Sequence, residues 1–155
     1  MIQMMNSAKR FFENNEDILY IYGAGNPGKW VAEYMMKCEI NFEGFIDKAN
    51  NIQDCCLFGK RVIHPNELKQ YGDKRLRIIL AVGNPREALA DLHCYAMNNN
   101  LICLAPLYPD FVRLGESNTQ NSGLIYDINE LLSYFRGRLF IGEVPTILSN
   151  SCGGV

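Results

Sequence analysis

Three glycines carry the first chemical signal in this chain. They stand in the run Gly23-Ala24-Gly25-Asn26-Pro27-Gly28, straight after the apolar stretch Ile18–Tyr22. In a G-x-G-x-x-G loop between a strand and a helix, each glycine has its own task. The first permits the tight turn, the second lets a phosphate approach the backbone, and the third lets the helix pack close to the sheet. The unpaired N–H groups at the helix start, with the positive end of its dipole, then make an anion site. Asn26 suits the N-cap and Pro27 the first helical position. Lys29 falls in the first turn, where it could reach a phosphate or simply stay solvated. Asp47 lies about 20 residues further on, where dinucleotide sites place the acid that holds a ribose hydroxyl. It would favour NAD over NADP by repelling a 2′-phosphate. It also reads as the start of a polar turn, Asp47-Lys48-Ala49-Asn50-Asn51.

A second strand-to-helix turn repeats the chemistry. Ile78–Val82 runs into Gly83-Asn84-Pro85-Arg86, which echoes Gly25-Asn26-Pro27-Gly28. In a doubly wound sheet the two turns flank the topological switch point, so Gly83 and Asn84 are expected across the crevice, with Arg86 a weaker candidate for the ligand's second half. The same tripeptide is also good turn chemistry used twice.

No residue set for catalysis stands out. An oxidoreductase of the short-chain type needs Tyr-x-x-x-Lys, and no tyrosine here has lysine four positions on. His64 is the best lone candidate for acid–base work, yet it precedes Pro65 in a turn. The six cysteines (Cys38, Cys55, Cys56, Cys94, Cys103 and Cys152) form no C-x-x-C pair. Cys38, Cys94 and Cys103 fall in apolar patterns and are expected in the core, and with His64 and His93 alone no metal site is expected. Reduced cysteines suit the cytoplasm.

The elements that must position these residues alternate strand and helix. Met1–Asn14 reads as a short helix with Ala8, Phe11 and Phe12 apolar. Strand 1 is Ile18–Tyr22, followed by a helix over Pro27–Lys37 with Val31, Tyr34, Met35 and Cys38 on one face. Strand 2 is Phe42–Asp47, Leu57–Ile63 is a short strand or extended pair, and a brief helix begins at Pro65. Strand 4 is Arg77–Val82, a helix covers Pro85–Met97, and Leu101–Ala105 is the last buried strand. This order predicts an α/β, Rossmann-like three-layer fold with a parallel sheet in the order 3-2-1-4-5. Residues 1–110 form the nucleotide-binding domain and 111–123 a polar linker. Residues 124–155 form a C-terminal helix and strand extension: a helix over Ile128–Phe135 capped by Asp127, and strands at Arg138–Gly142 and Thr146–Leu148. The end of the sequence reads as the start of a truncated downstream domain.

A chain of 155 residues with 48% hydrophobic and 21% charged residues is one soluble domain in size and composition. Its net charge of −2 gives no basic footprint, so nucleic acid is not an expected partner. No apolar run is long enough to span a membrane, and the N-terminus lacks the pattern of a signal peptide.

The stretches Ile21–Gly25, Gly44–Asp47, Gly59–Leu68 and Ala81–Pro85 resemble a bacterial Rossmann-like domain of surface-polysaccharide and nucleotide-sugar-modifying proteins. Its relatives include sugar dehydratases and epimerases, methyltransferases and amino-sugar acetyltransferases. The resemblance covers residues 15–110 and implies NAD or a UDP-sugar as ligand, with Asp47 near the base. The hexapeptide repeats of the acetyltransferases are absent, so their catalysis is not implied. The tail Pro145–Gly154 resembles the opening of a bacterial exopolysaccharide-synthesis family. Three readings follow. The first is a non-catalytic nucleotide or nucleotide-sugar module of polysaccharide or capsule biosynthesis. The second is an NAD-dependent dehydratase- or epimerase-type domain, and the third a degenerate domain kept for its fold or its partners. A second copy of the chain or a downstream catalytic domain are the protein partners that these readings allow. The expected contacts are Gly23, Ala24, Gly25, Asn26, Gly28 and Asp47, with Gly83 and Asn84 opposite.

Overall fold

The computed structural model describes residues 1–13, 17–52, 55–107 and 126–138. Its elements are β1 (Ile2–Met5), α1 (Ala8–Glu13), β2 (Ile18–Tyr22), α2 (Asn26–Lys37), β3 (Gly44–Ile46), β4 (Cys56–Leu57) and β5 (Lys60–Ile63), followed by β6 (Arg75–Leu80), α3 (Pro85–Tyr95), β7 (Asn100–Leu104), β8 (Pro106–Leu107), β9 (Tyr126–Asp127) and α4 (Ile128–Arg138). A 3₁₀ segment, Pro65–Tyr71, joins β5 to β6.

Seven of these strands form one sheet in the order β1-β7-β6-β2-β3-β5-β4. The five strands expected from the sequence hold the order 3-2-1-4-5 within it, all parallel. Residues alternate between two buried faces, which is why these strands read as unbroken apolar runs. Leu19, Ile21, Phe45, Val62 and Ile79 face α1, α2 and α4. Tyr20, Tyr22, Ile46, Ile63, Ile78 and Leu80 face α3 and the 3₁₀ segment. The result is an α/β, Rossmann-like three-layer fold.

The N-terminus departs from the expected helix. Ile2–Met5 pairs in parallel with Leu101–Leu104 and extends the sheet beyond β7. The terminal ammonium also donates to the Asn99 carbonyl at 2.6 Å. Ser7 then starts α1, its hydroxyl accepting from the Arg10 N–H at 3.3 Å. An edge strand of four residues is too short to announce itself by periodicity.

Of the two forms expected for Leu57–Ile63 the chain takes the extended pair: a turn at Phe58 and Gly59, both at positive φ (54° and 76°), makes β4 and β5 an antiparallel hairpin. Smaller differences have local causes. Of the cysteines expected in the core, Cys38 and Cys103 are buried, but Cys94 lies on the solvent side of α3 and is exposed. In α4, Leu131 and Phe135 are fully buried. Phe135 stacks on Tyr34 at 5.2 Å, and its carbonyl accepts from the Cys38 thiol. Each such burial contributes roughly 1.5–3 kcal/mol, so α4 is firmly docked on α1 and α2. It runs through Arg138, where a strand was expected to begin. The expected linker 111–123, the strands beyond Arg138, and Cys152 lie outside the described residues.

Candidate functional site

The carboxyl ends of β2, β3, β5 and β6 are tied together by backbone hydrogen bonds. Gly23 N–H donates to Ile46 O at 2.7 Å, Ala81 N–H to Tyr22 O at 2.8 Å, and Asp47 N–H to Ile63 O at 2.9 Å. The chain leaves β2 through the glycine loop at this edge.

The three glycines separate clearly. Gly23 has φ +113°, and a Cβ on it would lie 2.5 Å from the Ala81 carbonyl oxygen. A Cβ on Gly28 would collide with the carbonyl oxygen of Gly23. Turn geometry and close packing therefore require both. Gly25 differs: among the described residues a Cβ there meets nothing within 4 Å. Its φ of −89° and ψ of −158° are extended backbone, and it is exposed. Nothing within the fold requires a glycine at this position.

The helix start is also shifted by one residue from the expected frame. Gly25, not Asn26, is the N-cap of α2, because its carbonyl accepts the Lys29 N–H at 2.9 Å. Asn26 is the first helical residue and is exposed, and among the described residues no side chain caps this terminus. The first turn carries no acid and holds Lys29. The helix end thus keeps the positive potential that an anion would meet.

Asp47 sits against this loop. One of its carboxylate oxygens accepts from the Ala24 N–H at 3.0 Å, the other from the Ala49 N–H at 2.9 Å. Beside it a cavity of about 260 Å³ is lined by Tyr22, Asp47, Lys48, Val82, Gly83, Asn84, Glu87, Ala88 and Asp91. The structure brings Gly83 and Asn84 to the same cavity as Asp47. The volume is below the roughly 300–1,000 Å³ of whole-ligand pockets. Arg86 is exposed and does not line the cavity.

Asn84 has a structural duty as well. It is the N-cap of α3, its side-chain oxygen accepting from the Glu87 N–H at 3.3 Å. Sequence reasoning missed Tyr22, Lys48, Glu87 and Asp91. Tyr22 OH donates to one oxygen of Asp91 at 2.9 Å, and Lys48 Nζ pairs with the other at 3.0 Å. Burial, then the bond to Asp91, push the Tyr22 phenol well above its ordinary pKa, so it stays a donor. The hydrogen bond to Asp91 likewise raises the exposed Lys48 ammonium. The available signal was an acid pair at i and i+4 just after the second turn, which places Glu87 and Asp91 on one face of α3.

His64 is a capping residue. Its Nδ1 accepts from the Asn66 N–H at 3.1 Å, Glu67 accepts from the His64 N–H, and its ring packs edge-on against Tyr95. Among the described residues no group of three or more His, Cys, Asp or Glu side chains could hold a metal ion.

A larger cavity, about 660 Å³, opens at the opposite edge of the sheet, where the strands begin. Its cations have structural work. Arg77, buried in β6, donates to the carbonyls of Phe11 and Asp17 at 2.8 Å, Arg138 donates to Cys38 O, and Lys60 lies over the Phe42 ring. Ligands of open α/β sheets bind at the carboxyl ends of the strands, so the smaller cavity is the candidate.

No protein-family model and no curated protein matches the chain. Solved structures of RSP, a Rex-family repressor, align with part of the chain. The complex with beta-NADH aligns at a TM-score of 0.41 and 15% identity, over 69% of this chain and 61% of that one. A further structure of the repressor aligns at 0.42 and 15%, over 71% and 63%. The complex with beta-NAD+ and operator DNA aligns at 0.43 and 17%, over 78% and 61%. This chain spans about three fifths of the length of those proteins. No family model and no curated protein supports the resemblance to polysaccharide and sugar-modifying families, so it is withdrawn, and the capsule role with it. The exclusion of nucleic acid is withdrawn too, because one of the matching structures holds operator DNA. Among the described residues no helix is long and apolar enough to cross a membrane.

Proposed function

We propose that this chain is a nucleotide-binding module, non-catalytic by itself, whose ligand is a dinucleotide of the NAD type. The observation that carries this reading is Gly25. A degenerate domain would keep glycine where the fold needs it, at Gly23 and Gly28. It has no such reason at Gly25, where the missing side chain leaves space before an uncapped helix end. The diphosphate would lie over Gly25, against the first amides of α2. One nucleoside would enter the cavity beside Asp47, its ribose within reach of the carboxylate that already braces the loop. Gly23 and Gly28 shape the turn, Ala24 ties it to Asp47, and Gly83 and Asn84 form the opposite wall.

A thermal-shift panel with NAD, NADP and UDP tests this reading, NAD being tried first because two of the aligned repressor structures hold NADH or NAD+. A ligand at about 100 times its Kd stabilises a protein by roughly 2.7 kcal/mol. NAD should raise the midpoint of the parent chain and leave Gly25→Val, whose side chain fills the phosphate space, unmoved. An equal shift in Gly25→Val would overturn the site, and no shift with any nucleotide would return the chain to the degenerate reading.

A further inference from the structure

We propose that the cavity beside Asp47 selects a base with an exocyclic amino group, and that the Glu87 carboxylate is the acceptor that reads it. This rests on the reading that the glycine loop holds a nucleotide diphosphate.

Among the described residues three carboxylates line the cavity, and two already accept at both oxygens, each Asp47 oxygen keeping a lone pair for the ribose. Both oxygens of Asp47 accept backbone N–H groups, from Ala24 and Ala49. Both oxygens of Asp91 are taken, by Tyr22 OH and by Lys48 Nζ. Glu87 is different: its backbone N–H goes to the Asn84 cap, while its carboxylate has no hydrogen bond or ion pair among the described residues. It lies one turn before Asp91 on the same face of α3, and it lines the cavity. The cation among the described lining residues, Lys48, is paired to Asp91 and feels the Glu87 charge only at longer range.

The charge balance orients the ligand. Three acids against one lysine repel a phosphate, so the phosphates stay over Gly25 and the base enters. Inside, the unspent group is an acceptor. Adenine and cytosine present an amino donor, N6 or N4, where uracil presents the O4 acceptor. A donor there makes a charge-assisted hydrogen bond to Glu87, whereas O4 sets lone pairs against a carboxylate.

Calorimetric titration of the full chain with ADP, UDP and inorganic pyrophosphate tests this. Hydrogen bonds to charged groups are strong enough that ADP should bind at least about tenfold tighter than UDP. In Glu87→Ala that ratio should fall towards one, and Glu87→Gln, which keeps a carbonyl acceptor, should fall between. Glu87 is exposed, so both variants should stay folded and lower the melting temperature only by the small contribution of an acid in the first turn. Equal binding of ADP and UDP to the parent, or an unchanged ratio in Glu87→Ala, would overturn the base assignment alone, provided that pyrophosphate still binds and Gly25→Val still abolishes it. No binding of pyrophosphate or ADP to the parent would overturn the nucleotide reading and this inference together.

Discussion

The two Gly-Asn-Pro turns share a tripeptide and stand at neighbouring strand ends, yet the fold uses them in opposite ways. At Gly25-Asn26-Pro27 the glycine is the N-cap, no side chain closes the helix, and no acid follows in the first turn. At Gly83-Asn84-Pro85 the frame moves by one residue. Asn84 becomes the N-cap, its side chain takes the Glu87 N–H, and Glu87 puts an acid in the first turn. The second helix end is satisfied by its own residues, while the first is left for something else. A helix end that is capped and carries an acid has little left to offer an anion.

The largest test of this contrast compares glycines within the first turn. Gly28→Ala must push a Cβ into the Gly23 carbonyl and should destabilise the chain by about 3 kcal/mol in urea unfolding. Gly25→Ala should change stability by no more than about 0.5 kcal/mol. If the two variants lost the same amount, Gly25 would be a structural glycine and the contrast would fail.

The brace on the loop comes next. Asp47→Ala removes the acceptor for the Ala24 and Ala49 N–H groups and should cost about 1.5–3 kcal/mol, as for hydrogen bonds to a charged group. Asp47→Asn, which keeps one acceptor oxygen, should lose less. An Asp47→Ala chain as stable as the parent would show that the glycine loop holds its shape unaided.

The two asparagines sharpen the comparison further. Asn84→Ala should cost about 1 kcal/mol through the lost cap. Asn26→Ala, at an exposed helical position with no cap bond, should stay within about 0.5 kcal/mol. Equal losses would mean that the two turns share a frame after all.

The fold was legible where the chain is long and patterned. Alternating burial on two faces made β2, β6 and β7 visible as apolar runs, and their order followed from right-handed crossovers. The four-residue β1 was not legible, because only its pairing with β7 defines it. Cys94 was misplaced because an apolar neighbourhood in sequence does not say which side of α3 a residue occupies. At the glycine loop, the turn and the place of Asp47 beside it could be read directly. The cap frame could not: Gly25-Asn26-Pro27 and Gly83-Asn84-Pro85 are the same letters, and only the backbone bonds, Lys29 N–H to Gly25 O and Ala88 N–H to Asn84 O, separate them. Glu87 and Asp91 escaped notice because charged helix residues usually mark a solvated face.

The smallest expected effect on stability belongs to Gly25→Asp, which gives the first turn the self-capped end of the second. Aspartate is a better N-cap than glycine, so this chain should gain a few tenths of a kcal/mol while placing a negative charge where the phosphate would lie. Its binding tests the central claim most directly. Inorganic pyrophosphate is titrated calorimetrically into the parent chain, Gly25→Asp and Asn84→Ala. The account predicts saturable binding to the parent, the same binding to Asn84→Ala, and none to the stably folded Gly25→Asp. No binding to the parent, or equal binding to Gly25→Asp, would contradict it.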